Sequence, residues 1–387
     1  MSRLKNNLNS REPVSGHDRS SKPRRRGNKH PIIATLVILL AVILILAGVA
    51  AIYANSLLDK INYVNENDTT ETYASATVDE NGNILSSETE ADIDSSVYES
   101  LDPDEASQVA QDAADAANDD TPLLSADGVT NILLIGTDNR VAGEYTRSDA
   151  MILLSINQNS KRLVMSSLMR DMYVSITGYG NTKLNHANQY GGPSLLLETV
   201  RNNFKVDVDQ YAMVDFYSLA DIIDIVGGID LDIENGEIPY LNSYLSELNA
   251  YKGVATDQDY IQTAGLQHVN GAQAVAYARI RYYGNADFQR TERQRTVLNK
   301  MMEAVKGASI LQLNTILDAI LPEVETNLTK GEMLKLITLL PSALNYEQEQ
   351  VQIPADGTFT YATINGLSFL VPDLEANREI LQEAIYK

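Results

Sequence analysis

"TNILLIGTD", residues 130–138, and "DAMILLSINQNSKRLVMSSLMRD", residues 149–171, are the two stretches that decide the fold. The first is a short apolar strand that ends around Gly136. The second contains two more apolar strands, and the polar tetrapeptide "QNSK" between them predicts a tight hairpin. The second and third strands should therefore run antiparallel in one sheet.

Helical and strand patterns mix irregularly in the rest of the chain. Helices are predicted in "PSLLLETVRNNF" from Pro193, in "YSLADIIDIVGG", in "NGAQAVAYA" and in "TERQRTVLNKMMEAV", and strands in "IDLDI", "GTFTYATI" and "LSFLVP". Because these elements follow no strict βα repeat, the sequence predicts one α/β domain over residues 129–387. Its central mixed β-sheet should be flanked by helices in an α-β-α arrangement.

Charge divides the chain into four segments. Residues 1–30 carry a net charge of +7, residues 31–54 contain no charged side chain, residues 55–128 carry −18, and the domain carries −11. The 55–128 segment is acidic and poor in large apolar residues. It cannot bury enough apolar surface to offset the entropy of ordering the chain, so it is predicted to be a disordered linker.

The uncharged segment 31–54 predicts a single transmembrane helix. At 1.5 Å per residue it is longer than the roughly 30 Å of a bilayer's hydrocarbon core. The Arg24–Arg26 cluster keeps residues 1–30 on the cytoplasmic side as a basic tail, which places the domain outside the cell membrane. A cleaved signal peptide is the alternative, because "AGVAA" offers small residues, although the apolar run exceeds the usual ~7–15 residues.

Composition narrows the function classes. Nucleic-acid binding would require a positive domain in the cytoplasm, whereas this domain is negative and lies beyond the anchor. The chain has no cysteine, which excludes thiol nucleophiles and cysteine-based zinc sites. No G-x-S-x-G, H-E-x-x-H or Walker A pattern is present.

Charged residues cluster at the ends of the first three strands. Asp138 follows the first strand, Arg147 and Asp149 come at the start of the second, and Arg170 and Asp171 follow the third. If the first strand runs parallel to the third, two carboxylates and two arginines meet at one edge of the sheet: Asp138, Asp149, Arg147 and Arg170. Open α/β sheets commonly bind ligands at such an edge.

A second group of cations lies in "RIRYYGNADFQRTERQR", residues 279–295. Alternation in "YARIRYY" places Arg279 and Arg281 on the same side of the chain. Asp287 is expected as the N-cap of the helix that follows.

The apolar stripe of that helix, residues 297–305, predicts which polar residues face inward. Traced back at 100° per residue, the stripe passes through Arg290 and Gln294. Arg293 falls at its margin, and Arg295 lies opposite and is expected to be solvated.

Inward arginines need anionic partners, because an unpaired buried guanidinium is costly. The nearby acids are too few for Arg147, Arg170, Arg279, Arg281 and Arg290, so the missing partner is best supplied by phosphate oxygens, which arginine binds bidentately. Asp138 and Asp149 then fit as ligands of Mg²⁺, which takes one or two carboxylates plus substrate phosphates. The residues therefore predict a diphosphate site.

The chain resembles the LytR-CpsA-Psr family of bacterial cell-wall ligases. The matching pieces span residues 131–305 in the family's order: "NILLIGTDNR", "RSDAMILLSIN", "SLMRDMYVSITGYGNTKLNHANQYGGP", "VDFYSLADIIDIVGGIDLDI", "VNGAQAVAYARIRY" and "DFQRTERQRTVL". The resemblance implies transfer of a glycopolymer (teichoic acid, capsule or similar) from an undecaprenyl-(pyro)phosphate carrier to a peptidoglycan sugar hydroxyl. It also implies an apolar pocket for the polyprenyl chain and a bacterium of the Gram-positive type.

The resemblance implies roles for individual residues. Asp138 and Asp149 would hold Mg²⁺ or Mn²⁺, and Asp287 would be the base for the acceptor hydroxyl, helped by Arg290. The implied pyrophosphate ligands are Arg147, Arg170, Lys183, Arg279, Arg281, Arg290 and Gln294.

Several further residues can be compared with the family's motifs. Asn185, in "KLN" with Lys183, matches a family position near the phosphates, and His186 after it is expected to be an ordinary loop residue. Leu168-Met169 stands where the family often has Ile-Pro, and Gln289 replaces a frequent glycine. Neither departure removes a charged group.

Three alternatives remain. A phosphatase acting on the same carrier would use the same site, with water in place of the sugar hydroxyl. A membrane-anchored transcriptional attenuator would require the positive cytoplasmic domain that is absent here. A non-enzymatic wall-binding module would not need the converging aspartates.

Overall fold

The structure, a computed structural model, describes residues 59–60, 62–64, 98–139, 144–306, 315–316 and 318–387. Its elements are, in chain order, β1 (Asn62–Tyr63), β2 (Glu99–Ser100), α1 (Pro103–Asn118), β3 (Val129–Thr137), β4 (Ser148–Asn157), β5 (Arg162–Leu168), β6 (Tyr173–Ile176), β7 (Gly180–Lys183), α2 (His186–Phe204), β8 (Gln210–Asp215), α3 (Phe216–Ile225), β9 (Ile229–Ile233), α4 (Ile238–Lys252), β10 (Gly265–Val269), α5 (Gly271–Arg279), α6 (Ala286–Lys306), β11 (Glu325–Thr326), α7 (Lys330–Ala343), β12 (Glu347–Ile353), β13 (Phe359–Ile364), β14 (Leu367–Pro372) and α8 (Leu374–Tyr386).

The described residues form a central mixed sheet in the order β1-β11-β8-β3-β4-β5-β12. β4 pairs antiparallel with both β3 and β5, and "QNSK" at 158–161 is the hairpin connection. β8 lies parallel to β3, and β12 lies parallel to β5. The prediction of a mixed sheet whose first strand runs parallel to its third is confirmed.

Helices cover both faces of this sheet. On one face, Leu153 belongs to a buried cluster with α2 and with Leu381 of α8. On the other face, Ile156 packs with Met302 of α6 and Ala343 of α7. Since successive side chains of a strand point to opposite faces, β4 contributes to both layers. The α-β-α arrangement is therefore confirmed.

Helix α1 lies within the interval 55–128, so the prediction of a disordered linker is wrong for this part. Asp102 and Glu105 form a capping box at its start. Its buried face consists of alanines, which pack with Tyr173 and Phe369: Ala106, Ala110 and Ala113, followed by Ala117 at the helix end. The prediction failed because it rested on the lack of large apolar residues. The methyl groups of alanines at helical spacing pack closely without such residues. Residues 65–97 of the interval lie outside the described residues.

Helix α2 begins at His186, seven residues before the predicted start at Pro193. The backbone departs from helical geometry at Gly191 and Gly192, and Gly192 has a φ of +63°. A Cβ atom there would lie 2.6 Å from the Tyr145 ring, so both the backbone angle and the close contact require glycine.

The predicted basic tail (1–30) and transmembrane helix (31–54) lie outside the described residues. Among the helices that are described, none combines the length and apolar character needed to cross a bilayer.

Candidate active site

The carboxyl end of β3 and the start of β4 bring the strand-end residues together. Thr137 pairs with Ser148 but Gly136 pairs with Ala150, so Asp149 lies at an irregularity in the ladder, one residue from Ser148. Asp138 follows Thr137 directly. Because β5 is antiparallel to β4, Arg170 reaches this edge, and its Nη1 lies 2.5 Å from Asp149 Oδ1.

Asp171 links this edge to the β6–β7 hairpin. Its Oδ2 lies 3.3 Å from Arg170 Nε, and its Oδ1 lies 3.0 Å from Lys183 Nζ. Asp171 and Lys183 are both buried. No role was predicted for Asp171, which pairs with two of the predicted phosphate ligands, Arg170 and Lys183.

Asp287 contacts two arginines, one through hydrogen bonds and the other through an ion pair. Arg281 donates from Nε and Nη2 to Oδ2 at 3.2 and 2.9 Å. Arg290 Nη2 lies 2.6 Å from Oδ1. Asp287 is in the first turn of α6, one residue inside the helix, so its predicted N-cap position is wrong. A carboxylate in the first turn is still favoured by the helix dipole.

The carboxylates of Asp171 and Asp287 have different pKa shifts. Burial raises the pKa of Asp171 above its ordinary value, although Arg170 opposes this effect. Burial acts in the same direction on Asp287, but Arg290, Arg170 and Arg281 together outweigh it and lower the pKa of Asp287. Asp287 is therefore ionised at neutral pH.

The expectation that the nearby acids are too few to pair with the arginines is wrong for several of them. Arg170, Arg281 and Arg290 each have a carboxylate partner, and Arg279 Nη2 lies 3.2 Å from Glu247 Oε2. Within the described residues, the ion pairs join four cations of the active-site cluster to three carboxylates: Arg170, Lys183, Arg281 and Arg290 to Asp149, Asp171 and Asp287. One positive charge is left over.

Arg290 provides the clearest sign of a ligand. It is 6% exposed, and its Nε has no hydrogen-bond partner among the described residues. Burial, followed by the nearby charge of Arg170, lowers the pKa of Arg290. A buried donor without a partner, in a cluster with surplus positive charge, fits an anion.

Arg279 and Gln294 lie at the periphery of this cluster. Arg279 ends α5, with its guanidinium 5.1 Å from the Phe216 ring centre and 4.9 Å from that of Tyr244. Gln294 Nε2 donates to the backbone oxygen of Asp149 at 3.4 Å, which connects α6 to the sheet edge.

The "KLN" segment lies against the strand ends. The Asn185 backbone N–H donates to the backbone carbonyl oxygen of Arg170 at 3.2 Å, and the buried side-chain Oδ1 of Asn185 has no hydrogen-bond partner in the described structure. Burial lowers the pKa of His186 to about 3, and the charges of Lys183, Arg147 and Arg170 act in the same direction. Arg147 therefore lies near this group, and His186 is neutral.

Arg293 and Arg295 are buried, so the expectation that Arg295 is solvated is wrong. Arg295 Nη1 donates to Ser167 Oγ at 2.7 Å, because α6 packs against β5 on the side that the sequence analysis took to be exposed. Arg293 pairs with Glu237 at 2.7 Å and donates to the carbonyl oxygens of Ile280 and Tyr283. Arg293 thereby holds the loop that carries Arg281 at a position on either side of Arg281.

A group of aromatic residues beside Asp287 was missed. Tyr98 contacts Tyr361 with ring centres 5.1 Å apart, Tyr361 contacts Phe359, and Phe359 stacks on Phe288 at 5.4 Å. Burial raises the pKa of Tyr98, and the charges of Asp171 and Asp287 add to it, so its phenol is close to both. Alternation in "GTFTYATI" could have indicated Phe359 and Tyr361. Tyr98 could not be anticipated, because it reaches the site through pairing of β2 with β13.

Asp138 and Asp149 are the donor set predicted for a cation, and they lie at the end of β3 and the start of β4. Asn139, next to Asp138, has a buried Oδ1 without a hydrogen-bond partner in the described residues. No group of three or more histidine, aspartate or glutamate side chains in the described part of the chain could hold a metal by itself. This donor set fits Mg²⁺, which completes its shell with phosphate and water oxygens.

Comparison with known proteins agrees with this geometry. The model of the LytR_cpsA_psr family matches residues 89–385. The chain belongs to this family. The match begins well before residue 129, so the LytR-CpsA-Psr domain includes α1, and it continues through α8.

Two relatives in this family are polyisoprenyl-teichoic acid–peptidoglycan teichoic acid transferases. TagU of Oceanobacillus iheyensis is 34% identical over 265 residues, 66% of this chain and 75% of TagU. TagV of Bacillus subtilis is 32% identical over 262 residues, 65% of this chain and 64% of TagV.

Solved structures of the family share the fold. The crystal structure of B. subtilis TagV matches with a TM-score of 0.52 and 28% identity, and covers 67% of this chain and 98% of TagV. TagT with bound octaprenyl pyrophosphate lipid matches with a TM-score of 0.51 and 22% identity, and covers 69% of this chain and 94% of TagT.

Proposed function

We propose that this protein transfers a glycopolymer from a polyprenyl-(pyro)phosphate carrier to a sugar hydroxyl of peptidoglycan, forming a phosphodiester. The observation that carries the proposal is the partly buried carboxylate of Asp287 between Arg281 and Arg290, where Arg290 Nε has no hydrogen-bond partner among the described residues. The names of its relatives TagU and TagV describe the same class of transfer, with teichoic acid as the glycopolymer.

The arginine cluster binds the diphosphate of the donor. Arg290 offers an unsatisfied N–H group, and Arg170 and Arg281 offer guanidinium groups already oriented by carboxylates. Because these carboxylates hold the arginines in place, little side-chain entropy is lost when the phosphate oxygens bind. Arg147, Lys183, Arg279 and Gln294 complete the proposed set.

The reaction forms one bond to phosphorus and breaks another. The acceptor hydroxyl oxygen attacks the phosphorus that carries the glycopolymer, the bond from that phosphorus to the bridging oxygen breaks, and polyprenyl phosphate leaves. Asp287 takes the hydroxyl proton. Phosphoryl transfer depends mainly on positioning and charge neutralisation, which suits a site built from arginines and one base.

Donor binding adjusts the basicity of Asp287. In the free protein, the neighbouring arginines lower its pKa, which makes it a weak base. When the diphosphate binds, its negative charge opposes the field of those arginines and raises the pKa of Asp287. The carboxylate therefore becomes a better proton acceptor when substrate is present.

Asp138 and Asp149 are proposed to hold Mg²⁺ or Mn²⁺. When bound, the ion neutralises charge on the transferred phosphate. The irregular β3–β4 pairing, which places Asp149 at the sheet edge that Asp138 also reaches, supports this assignment.

The domain is proposed to act outside the cell membrane, anchored by residues 31–54. The uncharged length of this segment and the preceding arginine cluster support that orientation.

The test uses the full chain in detergent, a synthetic polyprenyl-diphosphate disaccharide and peptidoglycan oligomers, with products identified by mass spectrometry. The expected product is a sugar-phosphate conjugate of the oligomer, formed with Mg²⁺ and reduced by a chelator. Free sugar phosphate without any conjugate would instead identify a phosphatase. Unchanged turnover in the chelator would contradict the metal assignment.

A further inference from the structure

A groove of about 520 Å³ opens beside the sheet edge that carries the active-site cluster. Its inner end is formed by Thr137 and Asn139, the two neighbours of Asp138, and its outer wall includes residues of α3 and α4. The buried Oδ1 of Asn139 has no hydrogen-bond partner in the described structure. A ligand O–H or N–H group at this end would satisfy it.

Two tyrosines stack on each other in the groove, and one of them is exposed. Tyr217, in the first turn of α3, and Tyr251, near the end of α4, stack with ring centres 3.9 Å apart and an angle of 22°. Tyr251 remains 54% exposed, so much of its ring is accessible. Exposed aromatic rings in a groove with polar walls are suited to ligands that have both apolar faces and polar edges.

The polar wall of the groove carries negative charge. Among the described residues that line it, the charged ones are all carboxylates: Asp215, Asp221, Glu323 and Glu325. Asp221 pairs with Lys252 at 2.9 Å just outside the lining. Ser218 donates to Glu323 at 3.1 Å and lies between two of these acids. The wall is therefore rich in hydrogen-bond acceptors for hydroxyl and amide groups.

We propose that this groove binds the acceptor glycan as an uncharged oligosaccharide of N-acetylated hexosamines, an inference that rests on the proposed transferase function. A pyranose ring has an apolar face of C–H groups, which would lie on the Tyr251 ring. Its hydroxyl and amide groups would donate to Asp221, Glu323 and Asn139. The chain of the glycan would then run from the tyrosines to Asp138, at the edge where the phosphate cluster lies.

Charge distinguishes this occupant from the donor polymer. A teichoic acid chain carries a phosphate in each repeat, and the carboxylates of the groove would repel it. The donor's diphosphate is instead matched by the arginine cluster, which has one positive charge in excess. The donor and the acceptor thus bind to surfaces of opposite charge, which favours the placement of each substrate on its own surface.

The test is titration of the full chain in detergent with chitotetraose, without any donor, followed by acceptor kinetics. Tyr251→Ala should weaken chitotetraose binding about tenfold and raise the acceptor KM by a similar factor, while donor affinity stays unchanged. Tyr251→Phe keeps the ring and should stay within about twofold of the original chain. Leu266→Ala, at a 71% exposed position of β10, serves as the surface control.

The outcomes separate this inference from the proposed function. If the chain transfers glycopolymer but Tyr251→Ala and Leu266→Ala have the same acceptor KM, the groove is not the acceptor site. If a soluble poly(glycerol phosphate) fragment displaces chitotetraose from the groove, the inference is also wrong. If Tyr251-dependent chitotetraose binding is found without any transfer, the saccharide site stands and the proposed function fails.

Discussion

Neighbouring arginines of α6 have different roles although they belong to one sequence cluster. Arg290 contacts Asp287 and retains an unsatisfied N–H group, Arg293 forms a buried pair with Glu237, and Arg295 donates to β5. Helical periodicity identified Arg290 as inward. It could not identify the burial of Arg295, because α6 contacts other elements on more than one side.

Asp287→Asn should reduce the rate of conjugate formation by about 100-fold or more, since a positioned general base typically contributes that much. Donor binding should be unchanged or tighter, because the carboxylate that competes with phosphate for Arg281 and Arg290 becomes neutral. Asp232→Asn, at an exposed position of β9, is the matched control. A variant that retains transfer within about threefold would remove Asp287 from its proposed role.

His186 should make the protein sensitive to acid. Its pKa is about 3 in the folded state against an ordinary 6.5, so the unfolded chain takes up a proton at higher pH than the folded chain does. The contribution to stability is fully present above pH 6.5 and is lost as pH falls towards 3. Between pH 7 and pH 5 this amounts to about 2 kcal/mol. Urea unfolding at both pH values should show a smaller loss for His186→Gln, and equal losses would contradict the assignment.

At the scale of the elements, helix α1 of the acidic segment 55–128 contacts the β6–β7 hairpin, which carries an active-site residue. Asn181 Nδ2 in β7 donates to the backbone oxygen of Ala110 at 2.9 Å. The strand β7 ends at Lys183, which pairs with Asp171. The packing of α1 therefore supports a hairpin that carries one of the phosphate ligands.

Ala110→Asp should lower the free energy of unfolding by about 3 kcal/mol, because it buries an unpaired carboxylate in the alanine face. It should also raise the donor KM through the β6–β7 hairpin. Asp112→Ala, on the exposed side of the same helix, should change stability by no more than about 0.5 kcal/mol. Thermal unfolding followed by circular dichroism compares the two variants. Similar midpoints would show that α1 does not support the domain.

The whole molecule combines a basic tail, an uncharged segment and an acidic domain that has a cluster of cations at one edge of its sheet. Protease added to intact protoplasts should digest the domain and leave a tag at the N-terminus protected, because the Arg24–Arg26 cluster is predicted to keep that end inside. Immunoblots for tags at both ends provide the readout. Protection of the C-terminal tag would reverse the proposed orientation, and release of a soluble domain would favour the cleaved signal peptide.

The sequence by itself determined the features that depend on local pattern: the apolar strands of residues 130–171, their hairpin, the uncharged segment 31–54 and the order of the family motifs. It also indicated that strand ends would place Arg170 beside Asp149. Tertiary structure decided which charge meets which partner, because those contacts join residues far apart in the chain. Arg295 reaches Ser167, Arg293 reaches Glu237, and Tyr98 reaches Tyr361. A guanidinium in a sequence shows only that a partner is required, and the folded chain determines whether protein or substrate supplies it.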